Sequence, residues 1–92
     1  MTELERDVEQ YFSKVAKQIG ALTYKWPASY HKGLPDRILI LSSGDVWFVE
    51  IKRTLGRVSK RQQYVLETLR KQCCKTAILS GKSDVDEFFL NL

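Results

Sequence analysis

The sequence has few of the residues that build disulfide frameworks or zinc sites. It contains two cysteines and one histidine. Cys73 and Cys74 are adjacent in the chain, where they rarely pair with each other, and no third cysteine is present. A disulfide framework is therefore excluded, and the cysteine usage predicts a reducing, cytoplasmic setting. The single histidine argues against a zinc site.

Long hydrophobic runs are also missing. No apolar stretch approaches the roughly 20 residues that a membrane span requires, and the acidic, amphipathic N-terminus does not resemble a signal peptide. The 92 residues, 43% hydrophobic and 28% charged, predict one folded domain over residues 1–92. A formal net charge of +4 favours a polyanionic partner.

One stretch near the middle of the chain has the pattern of a β-hairpin. Two apolar, β-branched runs flank a polar turn at residues 42–45. Asp36 opens the first run, and Glu50 and Lys52 close the second. Counting outward from the turn places Asp36 about opposite Ile51, so Asp36 and Glu50 share one end of the sheet. Because side chains alternate along a strand, Glu50 and Lys52 point to the same face.

These charged residues predict a metal site. Two carboxylates held close together repel each other, and a divalent cation removes the repulsion. Oxygen ligands favour Mg²⁺ or Mn²⁺. Lys52 beside them can bind a phosphate, stabilise a developing negative charge or orient an attacking water. The alternative is a surface hairpin with an incidental Glu–Lys pair, but Pro35 and Asp36 ahead of the first strand favour the metal site.

The pattern resembles a nuclease signature. Asp36, preceded by Pro35 and followed fourteen residues later by the sequence Glu-Ile-Lys, is similar to the PD-(D/E)xK motif. A wider set of residues resembles the virus-type replication-repair nuclease (VRR-NUC) domain of the stand-alone phage type. That set consists of Gly33, Leu34, Pro35, Asp36, Glu50, Ile51, Lys52, Gly56, Arg57, Val58, Ser59 and Gln62.

Hydrophobic periodicity gives the order of the predicted helices and strands. A helix is predicted over residues 2–19, a strand over 21–26, the hairpin, a helix over 59–73, a strand over 76–79, and a last helix capped by Ser83 or Asp84. This order, α-β-β-β-α-β-α, predicts an α/β fold with a mixed central sheet flanked by helices. It resembles the restriction-endonuclease-like core.

The resemblance implies a role for each residue of the predicted site. Asp36 and Glu50 would bind the metal with the backbone carbonyl of Ile51. Glu5, on the first helix, would bind the metal directly or through water. Lys52 would position or deprotonate the water that attacks the phosphodiester.

Two of the implied roles have alternatives. Helical periodicity makes Glu5 the one acid of the first helix aimed toward the core side, but it could instead form a capping box with Thr2. Glu9 is the second choice for the helix carboxylate. Gln62 would orient the lysine or the substrate, or would only close a capping box with Ser59.

Aromatic and basic side chains near the predicted site are candidates for DNA binding. Those before the first hairpin strand could equally form a solvated loop, and His31 is a less favoured candidate for a general base. The set is Tyr30, His31, Lys32, Arg53, Arg57, Lys60 and Arg61.

The function that the resemblance implies is structure-selective DNA cleavage. A homodimer would present two active sites to a branched DNA with two-fold symmetry, so Holliday (four-way) junction resolution is predicted. The alternatives are a flap or fork nicking nuclease and a non-catalytic basic DNA-binding module. No membrane partner or nucleotide cofactor is expected, and a phage-encoded protein would act in the host cytoplasm.

The last helix carries two adjacent phenylalanines. Of Phe88 and Phe89, one could be buried in the core and the other form a dimer contact.

Overall fold

The computed structural model describes residues 3–27 and 32–92. The helices and strands follow one another there in the predicted order. They are α1 (Glu5–Gln18), β1 (Leu22–Lys25), β2 (Arg37–Ile40), β3 (Val46–Lys52), α2 (Lys60–Lys71), β4 (Lys75–Ser80) and α3 (Lys82–Leu90). The predicted α/β class is confirmed. Within the described ranges, no helix combines the length and the hydrophobicity needed to cross a membrane.

The four strands form one mixed sheet in the order β1-β2-β3-β4. β1, β2 and β3 are antiparallel neighbours, and β4 is parallel to β3. A parallel pair needs a crossover connection, which α2 supplies. α1 and α3 contact each other and pack on one face of the sheet, whereas α2 packs on the other. β3 is therefore an inner strand with neighbours on both sides, as its hydrophobic sequence predicts.

The hydrophobic core lies between the sheet and the pair α1 and α3. Its fully buried side chains are Val8, Phe12, Ala16, Leu39, Val49, Ile51 and Val85. Phe88 and Phe89 both pack against this core, with ring centroids 6.5 and 5.2 Å from that of Phe12. Phe88 also meets Trp47 edge to face at 5.1 Å. Both rings therefore pack within the domain, and a dimer contact by either one stays a prediction.

The N-terminus of α1 differs from the prediction. The helix begins at Glu5 with Leu4 as its N-cap, and the Leu4 N–H donates to Asp7 Oδ2 at 2.9 Å. The helix start therefore lies two residues further along the chain than a capping box of Thr2 and Glu5 would place it, with Leu4 and Asp7 in the corresponding positions. Thr2 itself lies outside the described residues.

The N-terminus of α2 confirms the predicted capping box. Ser59 Oγ accepts from the Gln62 N–H at 3.1 Å, and Gln62 Oε1 accepts from the Ser59 N–H at 2.8 Å. α3 instead starts earlier than predicted, with Gly81 as its N-cap at a φ of 90°. Glycine adopts this φ without the steric cost of a side chain, so the chain can turn directly from β4 into α3.

Candidate active site

The hairpin brings Asp36 and Glu50 to one end of the sheet. Arg37 pairs with Val49, and continuing this register places Asp36 across from Glu50 rather than opposite Ile51, as predicted. The prediction is wrong by one residue because the Leu41 N–H donates to the Asp45 carbonyl at 2.9 Å, which shortens the turn. The Asp36 carboxylate still reaches Ile51, whose N–H donates to Asp36 Oδ2 at 2.8 Å.

Glu50 is a buried acid whose two oxygens have different surroundings. The residue is 1% exposed. Its Oε2 accepts from Gln62 Nε2 at 2.8 Å and lies 3.5 Å from Lys52 Nζ. Its Oε1 is buried and has no hydrogen-bond partner in the described part of the chain. Burial, followed by repulsion from the Asp36 carboxylate, raises the pKa of Glu50 to about 8.

Lys52 lies between two acids. Its Nζ is 3.5 Å from Glu50 Oε2 and 3.9 Å from Glu5 Oε1. Its backbone carbonyl accepts from the Gly81 N–H at 2.9 Å, which ties the end of β3 to the start of α3. The Lys52 side chain, which is 15% exposed, lies beside Glu50 and is not fully enclosed.

Gln62 closes the predicted capping box and also contacts Glu50, whereas a role in orienting the lysine or the substrate stays a prediction. Its Oε1 completes the α2 capping box, while its Nε2 donates to Glu50 Oε2. A hydrogen bond to a buried carboxylate stabilises and orients it. The start of α2 therefore fixes the orientation of the Glu50 side chain.

The acids near α1 are arranged differently from the prediction. Glu5 is 46% exposed and approaches Lys52, whereas the Glu9 side chain is only 13% exposed. The prediction that Glu5 alone points toward the core side is therefore wrong. Glu9 pairs with Lys25 at 2.9 Å and with Arg37 at 3.6 Å, because β1 and β2 place both cations beneath it.

Glu3 also has a role that the sequence did not indicate. Periodicity directs its side chain away from the core, but its Oε1 accepts from the Thr54 N–H at 2.9 Å and from Thr54 Oγ1 at 2.7 Å. These hydrogen bonds lower the pKa of Glu3. They fix the start of the loop that follows Lys52, and no local pattern could have shown a contact between residues so distant in sequence.

The donor set fits a divalent cation. Asp36 and Glu50 are hard oxygen donors at one sheet end, and Glu50 Oε1 is a buried acceptor with no described partner. A cation bound there would offset the repulsion between the two carboxylates and would give Glu50 Oε1 a partner. Among residues 3–27 and 32–92, no three acidic, histidine or cysteine side chains converge. Glu5 and Glu50 both approach Lys52 rather than each other. Glu5 as a metal ligand stays a prediction.

The candidate DNA-binding residues are only partly described. Tyr30 and His31 lie outside the described residues. The other five are exposed, namely Lys32, Arg53, Arg57, Lys60 and Arg61. Their contact with DNA stays a prediction.

Arg61 packs against the turn at Lys32 and Gly33, a role that the sequence pattern did not indicate. Its Nε donates to the Lys32 carbonyl at 3.5 Å. Its Cγ lies so close to Gly33 that a Cβ added there would be 2.8 Å away. Arg61 therefore holds the turn that leads into Pro35 and Asp36 against α2.

The mixed four-stranded sheet with flanking helices, and the two acids at the open end of its hairpin, are compatible with a nuclease-type domain of restriction-endonuclease-like fold. The VRR-NUC domain matches residues 3–83. The chain therefore belongs to the VRR-NUC family.

Individual relatives agree with this assignment. The chain is 33% identical over 48 residues to "Putative nuclease p44" of Acyrthosiphon pisum secondary endosymbiont phage 1. That alignment covers 52% of each protein, so the chain spans about half the length of this relative. A solved structure described as "VRR_NUC domain" superimposes with a TM-score of 0.85 and 27% identity over 92% of both chains.

A second solved structure supports the fold alone. It is described as "VRR_NUC domain protein" and gives a TM-score of 0.76 at 16% identity, covering 98% of this chain and 88% of that one.

Proposed function

We propose that the protein is a metal-dependent, structure-selective DNA endonuclease that resolves four-way junctions as a homodimer. The observation that carries the nuclease proposal is the buried Glu50 carboxylate. It is close to Asp36, hydrogen-bonded by Gln62 and adjacent to Lys52, and it has one oxygen without a described partner. A domain that only binds DNA gains nothing from acids placed where an anionic ligand must approach.

Asp36 and Glu50, with the backbone carbonyl of Ile51, would hold Mg²⁺ or Mn²⁺. Bound there, the cation would supply Lewis-acid stabilisation of the charge that develops on the phosphate. Glu5, close to Lys52 and half-exposed, would contribute directly or through water.

Lys52 would act on the attacking water. Its Nζ is held beside Glu50 and is open to solvent on one side. From this position it would orient or deprotonate the water for in-line attack on the phosphodiester. Gln62 would keep the Glu50 carboxylate from turning away.

The substrate proposal rests on charge and symmetry. The formal net charge of +4, together with exposed cations after β3 and at the start of α2, suits a polyanion. A dimer with two-fold symmetry carries two equivalent active sites, and a four-way junction offers two equivalent strands to cut. A flap or a fork does not require this pairing.

Cleavage of labelled DNA tests the proposal. The wild type and Glu50→Ala are compared on a four-way junction, a flap and a matched linear duplex, each with Mg²⁺, Mn²⁺ or EDTA. We expect paired, metal-dependent nicks in the junction that Glu50→Ala abolishes. Cleavage of flaps alone would replace the junction proposal with a flap nuclease. DNA binding without any cleavage would contradict the nuclease proposal and favour a non-catalytic DNA-binding module.

A further inference from the structure

The start of α1 meets the end of β3 through two acidic side chains. Glu3, which precedes the helix, accepts two hydrogen bonds on Oε1, from the Thr54 N–H at 2.9 Å and from Thr54 Oγ1 at 2.7 Å. Glu5, the first residue of the helix, has its Oε1 3.9 Å from Lys52 Nζ. The two contacts are two residues apart on both segments, so the start of α1 lies along the chain that leaves β3.

The two contacts differ in strength. The Glu5 side chain is 46% exposed, and an exposed ion pair with Lys52 at 3.9 Å adds little stability. Glu3 is half-buried and accepts both of its hydrogen bonds from one residue. Hydrogen bonds to a carboxylate are shorter and stronger than those between neutral groups, and they depend on direction. Glu3 rather than Glu5 therefore holds the start of α1 in place.

Thr54 also packs against the turn between β4 and α3. A Cβ added to Gly81 would overlap Thr54 Oγ1 and would lie 3.5 Å from Glu3 Oε1. The Gly81 N–H donates to the Lys52 carbonyl at 2.9 Å. The backbone of Lys52 and the side chain of Thr54 are therefore fixed to the same turn, and Glu3 joins the start of α1 to both.

The hydrogen bonds of Glu3 separate it from the acids that would bind a metal. A carboxylate oxygen accepts about two hydrogen bonds, and Thr54 supplies two to Glu3 Oε1. Glu50 Oε1 is the opposite case, since it is buried and has no partner in the described part of the chain. The Glu3 oxygen is thus engaged in holding the loop after Lys52.

We propose that Glu3 is a positioning residue of the proposed active site. Through Thr54 it holds the start of α1 against the end of β3, and it thereby fixes where Glu5 lies relative to Lys52. The inference rests on the proposed function, in which Lys52 acts on the attacking water and Glu5 assists the metal. A misplacement of about 1 Å can slow a reaction about 100-fold, so a contact outside the site can control the rate.

Single-turnover cleavage of a four-way junction with Mg²⁺ tests the positioning role. The wild type, Glu3→Ala and Glu3→Gln are compared at saturating protein concentration and at a temperature where all three are folded. Glu3→Ala loses both hydrogen bonds, so cleavage should be about 10-fold slower while the affinity for the junction is unchanged. Glu3→Gln should restore most of the rate, because an amide oxygen can accept both hydrogen bonds.

Asp86→Ala is the matched control. The Asp86 carboxylate accepts from the Tyr11 hydroxyl and joins α3 to the middle of α1, away from Lys52. This variant loses the same charge and a tertiary contact of the same helix. We expect both alanine variants to melt at lower temperature than the wild type and only Glu3→Ala to cleave more slowly. Equal slowing by Asp86→Ala would reduce Glu3 to a general stabilising residue and overturn the proposal.

Amide hydrogen exchange measures the contact without cleavage. Loss of the Glu3 acceptor should speed exchange of the Thr54 and Gly81 amides about 10-fold in Glu3→Ala, with exchange in α2 unchanged. Unchanged exchange at both amides would refute the contact even in an active nuclease. If Glu3→Ala does not fold, Thr54→Val, which removes the hydroxyl donor, is measured by the same criteria.

The remaining outcomes separate this proposal from the nuclease proposal. Wild-type cleavage by Glu3→Ala would overturn the positioning role. Glu3→Gln as slow as Glu3→Ala would overturn it too, because the charge of Glu3 and not its hydrogen bonds would then matter. Weaker junction binding with an unchanged rate at saturation would assign Glu3 to DNA binding instead. Absence of cleavage by the wild type would overturn the proposed function, and with it any role of Glu3 in cleavage.

Discussion

Replacing Glu50 with glutamine should stabilise the metal-free protein while it abolishes cleavage. Burial and the Asp36 carboxylate raise the pKa of Glu50 from about 4.5 to about 8. The folded state therefore binds this proton more tightly than the unfolded state, and the free energy of unfolding falls as pH rises from about 4.5 to about 8. Glutamine has a similar shape, can still accept from Gln62 Nε2, and carries no charge to bury.

The size of this effect follows from the pKa. A displacement from about 4.5 to about 8 corresponds to roughly 5 kcal/mol. Solvent that reaches the open side of the site reduces the expected gain for Glu50→Gln at pH 8 to about 2 kcal/mol. For a domain of this size that raises the midpoint of thermal unfolding by roughly 10 °C.

Thermal unfolding in EDTA from pH 4 to pH 8.5 measures the effect. The difference between Glu50→Gln and the wild type should be near zero at pH 4 and should grow up to pH 8. Asp45→Asn is the control, because Asp45 is an exposed acid paired with Lys75 at 3.3 Å, and its neutralisation should bring no gain. A Glu50→Gln variant that is less stable than the wild type at pH 8 would refute the argument that the buried carboxylate is costly to ionise.

Three further predictions concern two glycines and Gln62. Gly33→Ala should lower the free energy of unfolding by about 2–3 kcal/mol, since φ is 85° and the added Cβ would meet Arg61 Cγ at 2.8 Å. Gly44→Ala should cost only about 1 kcal/mol in the same denaturant titration, because φ is 92° but nothing lies within 4 Å; equal losses would show that packing against α2 is unimportant. Gln62→Glu keeps an acceptor for the capping box but replaces the donor to Glu50 with a second carboxylate 2.8 Å away, so single-turnover cleavage should fall about 10–100-fold and the melting temperature should also fall at pH 8. Unchanged cleavage would remove Gln62 from the site.

The sequence predicted most accurately the features that depend on residues close together in the chain. The Ser59 and Gln62 capping box depends on two residues three apart, and the structure contains it. The inner position of β3 follows from its hydrophobic composition. The order of helices and strands follows from periodicity, and their bounds differ mainly at the first and last helices, where a cap or a glycine turn sets the start.

Sequence patterns did not predict contacts between residues that are distant in the chain. The hairpin register was displaced by one residue because backbone hydrogen bonds, not the number of polar residues, set the turn. Periodicity ranked Glu5 above Glu9 for burial, but the cations that bury Glu9 come from β1 and β2. The hydrogen bond from Gln62 to Glu50 likewise depends on how α2 packs, although both residues belong to the family motif.

The central claim is that Glu50, Asp36 and Lys52 form a hydrolytic site, and substitution of Lys52 tests it most directly. The measurement is the single-turnover cleavage rate of the preferred DNA substrate with Mg²⁺ for the wild type, Lys52→Ala and the control Lys14→Ala, an exposed lysine of α1. The account predicts that Lys52→Ala binds DNA normally and melts as a folded protein, yet cleaves about 10²–10³-fold more slowly. Lys14→Ala should change the rate only slightly. Near-wild-type cleavage by Lys52→Ala would contradict the account.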